Sequence, residues 1–165
     1  RVYPDGSYEK LGSIENISPE LLSCEPHAIA LADGTVIVHI RVQNRDTFTI
    51  YQSESHDGGK TFTKPHAILS QKGGAPAHLL QLSNGILISV YGYREAPYGI
   101  KMMYSTDDGE TWSVGHDIFV NDSGEDVGYP SSVQLENGDI LTIFYAKERA
   151  DAPAVIMQTI WSFEK

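Results

Sequence analysis

The chain has 165 residues, 41% of them hydrophobic and 21% charged, which is the composition of an ordinary globular domain. Its 12 basic and 22 acidic residues give a formal net charge of −10. Because phosphate binding needs a basic face, this charge argues against a nucleic-acid partner. The sequence has no run of the ~18 apolar residues that cross a bilayer, so no membrane partner is expected.

Three related segments follow an N-terminal stretch, residues 1–24, that has few strand signals and is predicted to be mostly loop. The segments cover residues 25–41, 75–94 and 128–147. Each contains a proline, an apolar run, a polar–glycine turn and a second apolar run. The turn glycines are Gly34, Gly85 and Gly138. Asp-Gly and Asn-Gly between apolar segments are strong hairpin signals, so each segment is predicted to form a β-hairpin.

A third and a fourth strand are predicted after the first two hairpins. Between these strands lies a phrase that occurs twice, SHDGGKTF at 55–62 and STDDGETW at 105–112. Repetition at such a period indicates a repeat architecture, and four strands in about 50 residues are the content of one propeller blade. The sequence therefore predicts an all-β, partial β-propeller of four-stranded antiparallel sheets, with blade-like units at about 25–70, 75–120 and 128–162.

Three blades are fewer than the four to eight with which propellers mostly close. They leave two open flanks, which invite pairing. We therefore expect residues 1–165 to be one fragment of a larger propeller, completed by further N-terminal residues or by a second chain. A start without methionine and without a signal-like apolar core agrees with this expectation.

The repeated phrase is predicted to be structural. Asp57 and Asp107 are placed to accept hydrogen bonds from the backbone N–H groups of their turns, while Phe62 and Trp112 bury rings between sheets. A metal-binding role for the aspartates is disfavoured, because a repeated turn explains every position. The histidines are scattered and Cys24 is the only cysteine, so neither a metal site nor a cofactor is expected.

The phrase resembles the Asp-box, or BNR repeat, of sialidases and their relatives, which are six-bladed β-propellers. The resemblance extends from about Cys24 to the end and implies the C-terminal half of such a propeller. Asp-boxes also occur in propellers that cleave nothing. For a sialidase-like protein a secreted or periplasmic location is plausible, but the sequence itself specifies no compartment.

The resemblance also implies site residues. In sialidases three arginines hold the substrate carboxylate, and a tyrosine nucleophile is activated by a glutamate. By order and approximate spacing, Glu25 matches the glutamate, Arg41 and Arg94 match the second and third arginines, and Tyr129 matches the nucleophile. The first arginine and the acid/base aspartate have no counterpart in this chain.

The expected chemistry suits these residue types. Arginine grips a carboxylate with two parallel hydrogen bonds. The anomeric carbon of sialic acid bears a carboxylate that would repel a carboxylate nucleophile, and sialidases are an exception to the two-carboxylate scheme. A tyrosine avoids this repulsion, but its pKa near 10 means that it needs a base within hydrogen-bond reach.

Structural explanations stay open for each residue. The two arginines are also explained as solvated charges at strand ends, with Arg45 and Arg149 as competitors and Glu95 placed to neutralise Arg94. Tyr129 is also explained as a packed aromatic, and Glu25 as a plain loop acid. A proline follows Tyr129, where serine is the commoner residue in the family, and is expected to hold Tyr129 in extended backbone.

Three functions remain from the sequence. The first is the C-terminal portion of a retaining, sialidase-like glycoside hydrolase acting on sialic acid or a similar acidic sugar. The second is a non-catalytic glycan-binding propeller, and the third is an enzyme acting on uronate-containing glycans. Under the first hypothesis the isolated chain is expected to be inactive or very weak, because it lacks the proton donor and one carboxylate ligand.

Overall fold

The structure, a computed structural model, describes residues 1–163. Residues 164–165, the last two of the predicted 1–165 fragment, lie outside the described residues. The described part contains three antiparallel sheets, with strand orders β1-β2-β3-β4, β5-β6-β7-β8 and β11-β10-β9. The strands are β1 (Leu22–Ala30), β2 (Val36–Gln43), β3 (Phe48–Ser55), β4 (His66–Ala67), β5 (Ala77–Gln81), β6 (Leu87–Tyr93), β7 (Gly99–Ser105), β8 (Ser113–Val120), β9 (Gly128–Gln134), β10 (Ile140–Lys147) and β11 (Ala154–Trp161).

The all-β, partial-propeller prediction is confirmed, and the three predicted hairpins join β1 to β2, β5 to β6 and β9 to β10. Each turn is closed by a bond from the turn glycine to the carbonyl three residues earlier, at 3.0 Å for Gly34, 2.9 Å for Gly85 and 3.0 Å for Gly138. These glycines have φ of 90°, 89° and 92°. Only glycine adopts this region without steric cost, which is why the same polar–glycine pair recurs.

Two sheets differ in detail from the four-stranded prediction. β4 has only two residues, and the third sheet has three strands within residues 1–163. The described residues end two positions after β11. The N-terminal segment is mostly loop, with an isolated bridge between Val2 and Tyr8, and β1 begins at Leu22.

The core lies between neighbouring sheets. Between the second and third sheets, one apolar cluster joins Ile88, Val90 and Ile100 to Ile140 and Phe144. Between the first and second sheets, Trp112 packs against two smaller clusters. Face-to-face burial of this kind holds successive blades together and fixes their relative orientation.

The repeated phrase forms the predicted turn in both copies. Asp107 Oδ1 accepts bonds from Thr111 N at 2.9 Å and from Ser105 Oγ at 2.7 Å. Asp57 does the same with Thr61 and Ser55, each at 2.9 Å. Hydrogen bonds from the threonine side chain and backbone lower the pKa of Asp107 to about 2. The aspartates thus remain charged acceptors that organise the turn.

The outer face of the third sheet is apolar and exposed. Strand β10 alternates, so Phe144 is 2% exposed on the inner face and Ile143 is 44% exposed on the outer face. Ile143 shares the outer face with the exposed Val133, Ile156 and Ile160. Contiguous exposed apolar faces of this kind are typical of interaction surfaces. No helix within residues 1–163 is long and apolar enough to cross a membrane.

Candidate active site

The structure brings the four sequence-predicted residues to one rim of the sheets. Glu25 lies early in β1, and Tyr129 is the second residue of β9. Arg41 lies near the end of β2, and Arg94 follows the last residue of β6. The first strand of each sheet starts at this rim, and the antiparallel strand that follows it ends there. Residues near the starts of β1 and β9 therefore lie close to residues near the ends of β2 and β6.

Tyr129 and Glu25 form the centre of the arrangement. The Tyr129 hydroxyl donates a hydrogen bond to Glu25 Oε1 at 2.5 Å. Arg41 Nη1 donates to Glu25 Oε2 at 2.8 Å and to the Tyr129 hydroxyl at 3.3 Å. The three side chains form a closed triangle in which the carboxylate takes one bond from a neutral donor and one from a cation. Charge-assisted bonds of this kind are the stronger class.

Glu25 and Tyr129 share an unusual backbone conformation. Their φ values are 49° and 52°, in the left-handed region that non-glycine residues seldom adopt. Each lies within an irregularity of its strand, between Cys24 and His27 in β1 and opposite Ile143 to Tyr145 in β9. The prediction that proline holds Tyr129 in extended backbone is therefore wrong. The bulge overrides the local preference and re-aims the side chain.

The two residues occupy the same place in two blades. Glu25 lies nine positions before Gly34, and Tyr129 lies nine positions before Gly138. Both are followed by proline, and both take the strained conformation, which costs ~1–3 kcal/mol per residue. Strain repeated at equivalent positions, with the two side chains bonded to each other, identifies this rim as a candidate functional site.

The pKa values follow from the contacts. Burial acts to raise the pKa of Glu25, but hydrogen bonds from Tyr129 and Arg41 outweigh it and place that pKa below its ordinary value. The Glu25 carboxylate, helped by burial, raises the pKa of the Tyr129 hydroxyl. Both shifts keep the proton on the phenol, so the resting pair is a charged carboxylate hydrogen-bonded to a neutral tyrosine.

Arg41 is held by a fourth residue, Gln43. Arg41 Nε and Nη2 both donate to Gln43 Oε1, at 3.0 Å and 2.5 Å. Arg41 and Gln43 are two positions apart in β2, so they project from the same face of the strand. The side chain of Arg41 is 13% exposed.

Arg94 is held by the third blade. Its Nη2 donates to the Tyr145 hydroxyl at 2.9 Å, and its Nε donates to the Val127 carbonyl at 3.2 Å. A Cβ added at Gly128 would lie 3.3 Å from Arg94 Nη2, so the missing side chain leaves room for the guanidinium. Glu95, predicted as a possible partner of Arg94, instead pairs with Lys72 at 3.6 Å.

Phe48 lies against both guanidinium groups. Arg41 Cζ is 4.8 Å and Arg94 Cζ is 5.3 Å from the centre of its ring, within the range of cation–π attraction. A cavity of about 270 Å³ opens at this point. Its lining consists of Arg41, Gln43, Phe48, Lys72, Arg94, Glu95 and Glu125.

Three contact residues were missed by sequence reasoning: Gln43, Phe48 and Tyr145. The hairpin register contained a signal for two of them. Gln43 lies nine positions after Gly34, as Arg94 does after Gly85, and Tyr145 lies seven positions after Gly138, as Arg41 does after Gly34. Phe48 begins β3 opposite Gln43 and carries no comparable sequence signal.

Metal binding finds no support in residues 1–163, where no group of three or more histidine, cysteine, aspartate or glutamate side chains could hold an ion. Cys24, the single cysteine, is half-buried beside Glu25, and burial raises the pKa of its thiol. The polar groups bonded to one another at the rim are a carboxylate, a phenol and a guanidinium.

The model of the BNR repeat-like domain family matches residues 3–142. A search among curated protein sequences found no match. A crystal structure of a Dyadobacter fermentans protein of unknown function is 25% identical, with a TM-score of 0.77, and the alignment covers 90% of this chain and 40% of that one.

Two further structures share the fold. Penicillium chrysogenum alpha-L-arabinanase, solved with arabinobiose, is 17% identical with a TM-score of 0.70, covering 92% of this chain and 48% of that one. The Hadza microbial sialidase Hz136 is 13% identical with a TM-score of 0.63, covering 87% and 34%. This chain thus spans less than half the length of each of these proteins.

Proposed function

The chain belongs to the BNR repeat-like domain family, and from that premise we propose that it supplies half of the active site of a sialidase-like retaining glycoside hydrolase. The substrate in this proposal is a terminal sialic acid or a similar acidic sugar. The sialidase and arabinanase folds that resemble this chain support a glycosidase. The choice of an acidic sugar rests on the residues at the rim.

One observation carries the proposal: the bond from the Tyr129 hydroxyl to Glu25 at 2.5 Å, with Arg41 bonded to both. A nucleophile needs a base within hydrogen-bond reach, and here the base is in turn oriented by a third group. In the proposed step Glu25 takes the phenolic proton as Tyr129 Oη attacks the anomeric carbon. The leaving-group oxygen departs with a proton from a general acid outside this chain.

Arg41 and Arg94 are the proposed carboxylate ligands. Both line the cavity, and Phe48 holds both guanidinium groups against its ring. Arginine remains charged at all relevant pH values and matches the geometry of a carboxylate. Of the cations in the lining, Lys72 is paired with Glu95, so the two arginines are the groups that would attract a carboxylate in a chain whose net charge is −10.

The proposal includes a missing half. Further residues of the same polypeptide, or a second chain, would supply the remaining blades, the general acid and the first arginine. The apolar outer face of the third sheet supports this part, since it is a surface for another blade. Without these groups the 165-residue chain alone would turn over little substrate, because general acid catalysis contributes ~10²–10⁴-fold.

A second candidate is an enzyme or binding module for neutral sugars on the same rim. Glu95 and Glu125 line the cavity beside the arginines, so its walls are not uniformly basic. Gln43 accepts hydrogen bonds from Nε and Nη2 of Arg41, so fewer donors remain for a carboxylate. This arrangement also favours a ligand without a strong negative charge. The arabinanase likeness is compatible with this candidate.

Fluorogenic substrates separate these candidates. The full-length protein that carries this chain should be assayed with an aryl α-sialoside, an aryl β-glucuronide and an aryl α-L-arabinofuranoside. Hydrolysis of the sialoside, lost in Tyr129→Phe, is the expected result. Cleavage of the arabinofuranoside alone would establish an enzyme for neutral sugars, and cleavage of the glucuronide alone would make a uronic sugar the acidic substrate. Binding of sugars without cleavage would establish a binding module.

A further inference from the structure

Gln43 lines the cavity together with Arg94 and Phe48, and it accepts hydrogen bonds from the edge of Arg41 that would otherwise be available to a ligand. A single oxygen, Gln43 Oε1, accepts from both Nε and Nη2 of Arg41. These two nitrogens are one of the two edges through which a guanidinium makes a parallel, two-bond contact with a carboxylate. Gln43 therefore stands where one oxygen of such a ligand would stand.

The donors of Arg41 are almost fully used. Arginine carries five N–H groups: one on Nε and two on each Nη. Nε and one N–H of Nη2 go to Gln43, and the two on Nη1 go to Glu25 and Tyr129. One N–H of Nη2 remains, and a single N–H cannot form a two-bond contact. A ligand carboxylate thus binds Arg41 fully only when Gln43 moves away or when Arg41 leaves Glu25.

We propose that Gln43 is a specificity-determining residue that competes with a ligand carboxylate for the Nε and Nη2 edge of Arg41. The inference rests on the proposed acidic-sugar site. Gln43 weakens the binding of acidic sugars and leaves that of neutral sugars unchanged, so it sets the selectivity of the rim between them. Specificity of this kind is a difference of affinities and is adjusted as much by competition as by attraction.

Glutamine suits this role because it is neutral. Its amide oxygen satisfies the two N–H groups while no ligand is bound, so the half-buried guanidinium is not left unpaired. A carboxylate binds the same edge more strongly, because both of its oxygens share a negative charge. The amide is therefore displaced by an acidic ligand, whereas a glutamate at position 43 would bind the edge more strongly and resist displacement.

Substitutions of opposite sign test the proposal. In the full-length protein, the dissociation constants of sialic acid, glucuronic acid and L-arabinose should be measured by calorimetry for the wild type, Gln43→Ala and Gln43→Glu. Gln43→Ala should bind the two acids about tenfold more tightly, equivalent to about 1.4 kcal/mol. Gln43→Glu should bind them about tenfold more weakly, because it adds a negative charge at the edge.

L-Arabinose affinity should change by less than about twofold in both variants, since a neutral sugar does not compete for the edge. Gln71→Ala is the matched control, because Gln71 is an exposed glutamine of the same region that bonds Thr47 at 3.3 Å. It should behave as the wild type. Equal acid affinities in the wild type and both Gln43 variants would overturn the inference, as would a shift of arabinose affinity that equals the shift for the acids.

The outcomes also separate this inference from the proposed function. If the wild type cleaves sialosides and the Gln43 variants bind acids with the same affinity as the wild type, the proposed function stands and only the inference about Gln43 is wrong. If the wild type cleaves no sialoside but the acid affinities of Gln43→Ala and Gln43→Glu still shift in opposite directions, the hydrolase proposal is wrong and the inference about Gln43 stands. If the wild type and Gln43→Ala bind neither acid, the acidic-sugar site and the competition for Arg41 both fall.

Discussion

The Tyr129 hydroxyl reaches Glu25 across 104 positions of sequence and donates a hydrogen bond of 2.5 Å to its carboxylate. Glu25 and Tyr129 lie near the starts of β1 and β9, in the first and third blades, and the second blade lies between them in sequence. Because each occupies a left-handed backbone position at a bulge, both side chains project from the rim. The hydrogen bond between them thus depends on the arrangement of the blades and on the left-handed backbone conformation that both residues adopt.

Replacing Tyr129 by phenylalanine removes the hydroxyl and keeps the ring. Under the proposed function we expect kcat of the full-length protein to fall by ~10³-fold or more, since removing a nucleophile abolishes the covalent route. Sugar binding should change little, because both arginines remain. Steady-state kinetics with an aryl sialoside and calorimetry with free sialic acid measure the two effects separately.

Tyr145→Phe is the matched control for this substitution. Tyr145 lies close to Tyr129, with ring centres 6.0 Å apart, but its hydroxyl bonds Arg94 instead of Glu25. Losing this bond should affect KM more than kcat, because Arg94 would be positioned less well. Equal losses of kcat in the two variants would remove the nucleophile assignment from Tyr129.

The triangle of Glu25, Arg41 and Tyr129 makes stability depend on pH. The pKa of Glu25 lies below its ordinary value of 4.5 in the folded protein, so folding is favoured when this carboxyl is charged. That contribution is complete above pH 4.5 and is lost as the pH falls through the folded-state pKa. Melting temperatures between pH 7 and pH 2.5 should fall more steeply for the wild type than for Glu25→Gln. Parallel curves would show that Glu25 is not held by its partners.

The extent of sequence prediction differs between the fold and the site. Turn chemistry is local, so the polar–glycine pairs and the repeated phrase predicted the hairpins and the Asp57 and Asp107 turns. The backbone of Tyr129 was not predictable, because a tertiary bulge overrides the preference before proline. The hairpin register indicated the position of Gln43 but not its partner, and Phe48 had no sequence signal. The contacts of both residues depend on where the side chains of Arg41 and Arg94 lie.

A buried histidine between the first two blades provides another pH effect. His39 is fully buried, bonded to Ser89 at 2.9 Å and to Gln52 at 3.1 Å, and burial lowers its pKa from 6.5 to about 3. Between these values the unfolded chain binds a proton that the folded protein does not. The free energy of unfolding should therefore decrease by about 1.4 kcal/mol per pH unit as the pH falls below 6.5.

His39→Gln tests this effect, because glutamine keeps hydrogen-bonding groups in the same space but does not titrate. Burial also lowers the pKa values of His27 and His78, so their contributions have the same sign. Urea unfolding between pH 7 and pH 4 measures how the free energy of unfolding depends on pH. This dependence should be smaller in the variant by the contribution of one titrating proton. An unchanged slope would mean that His39 is protonated in the folded state.

The two faces of β10 provide a test of the proposal that further blades complete the propeller. Phe144 is 2% exposed within the core between the second and third sheets. Phe144→Ala should therefore cost ~3–5 kcal/mol of unfolding free energy in both the 165-residue chain and the full-length protein.

Ile143, next to Phe144 in β10, is 44% exposed on the outer face. In the 165-residue chain Ile143→Ala should therefore cost no more than ~0.5–1 kcal/mol. If the proposed further blade buries Ile143 in the full-length protein, the same substitution should cost ~2 kcal/mol or more there. Urea unfolding of both proteins measures the difference, and a mild effect of Ile143→Ala in both would mean that no blade packs on this face.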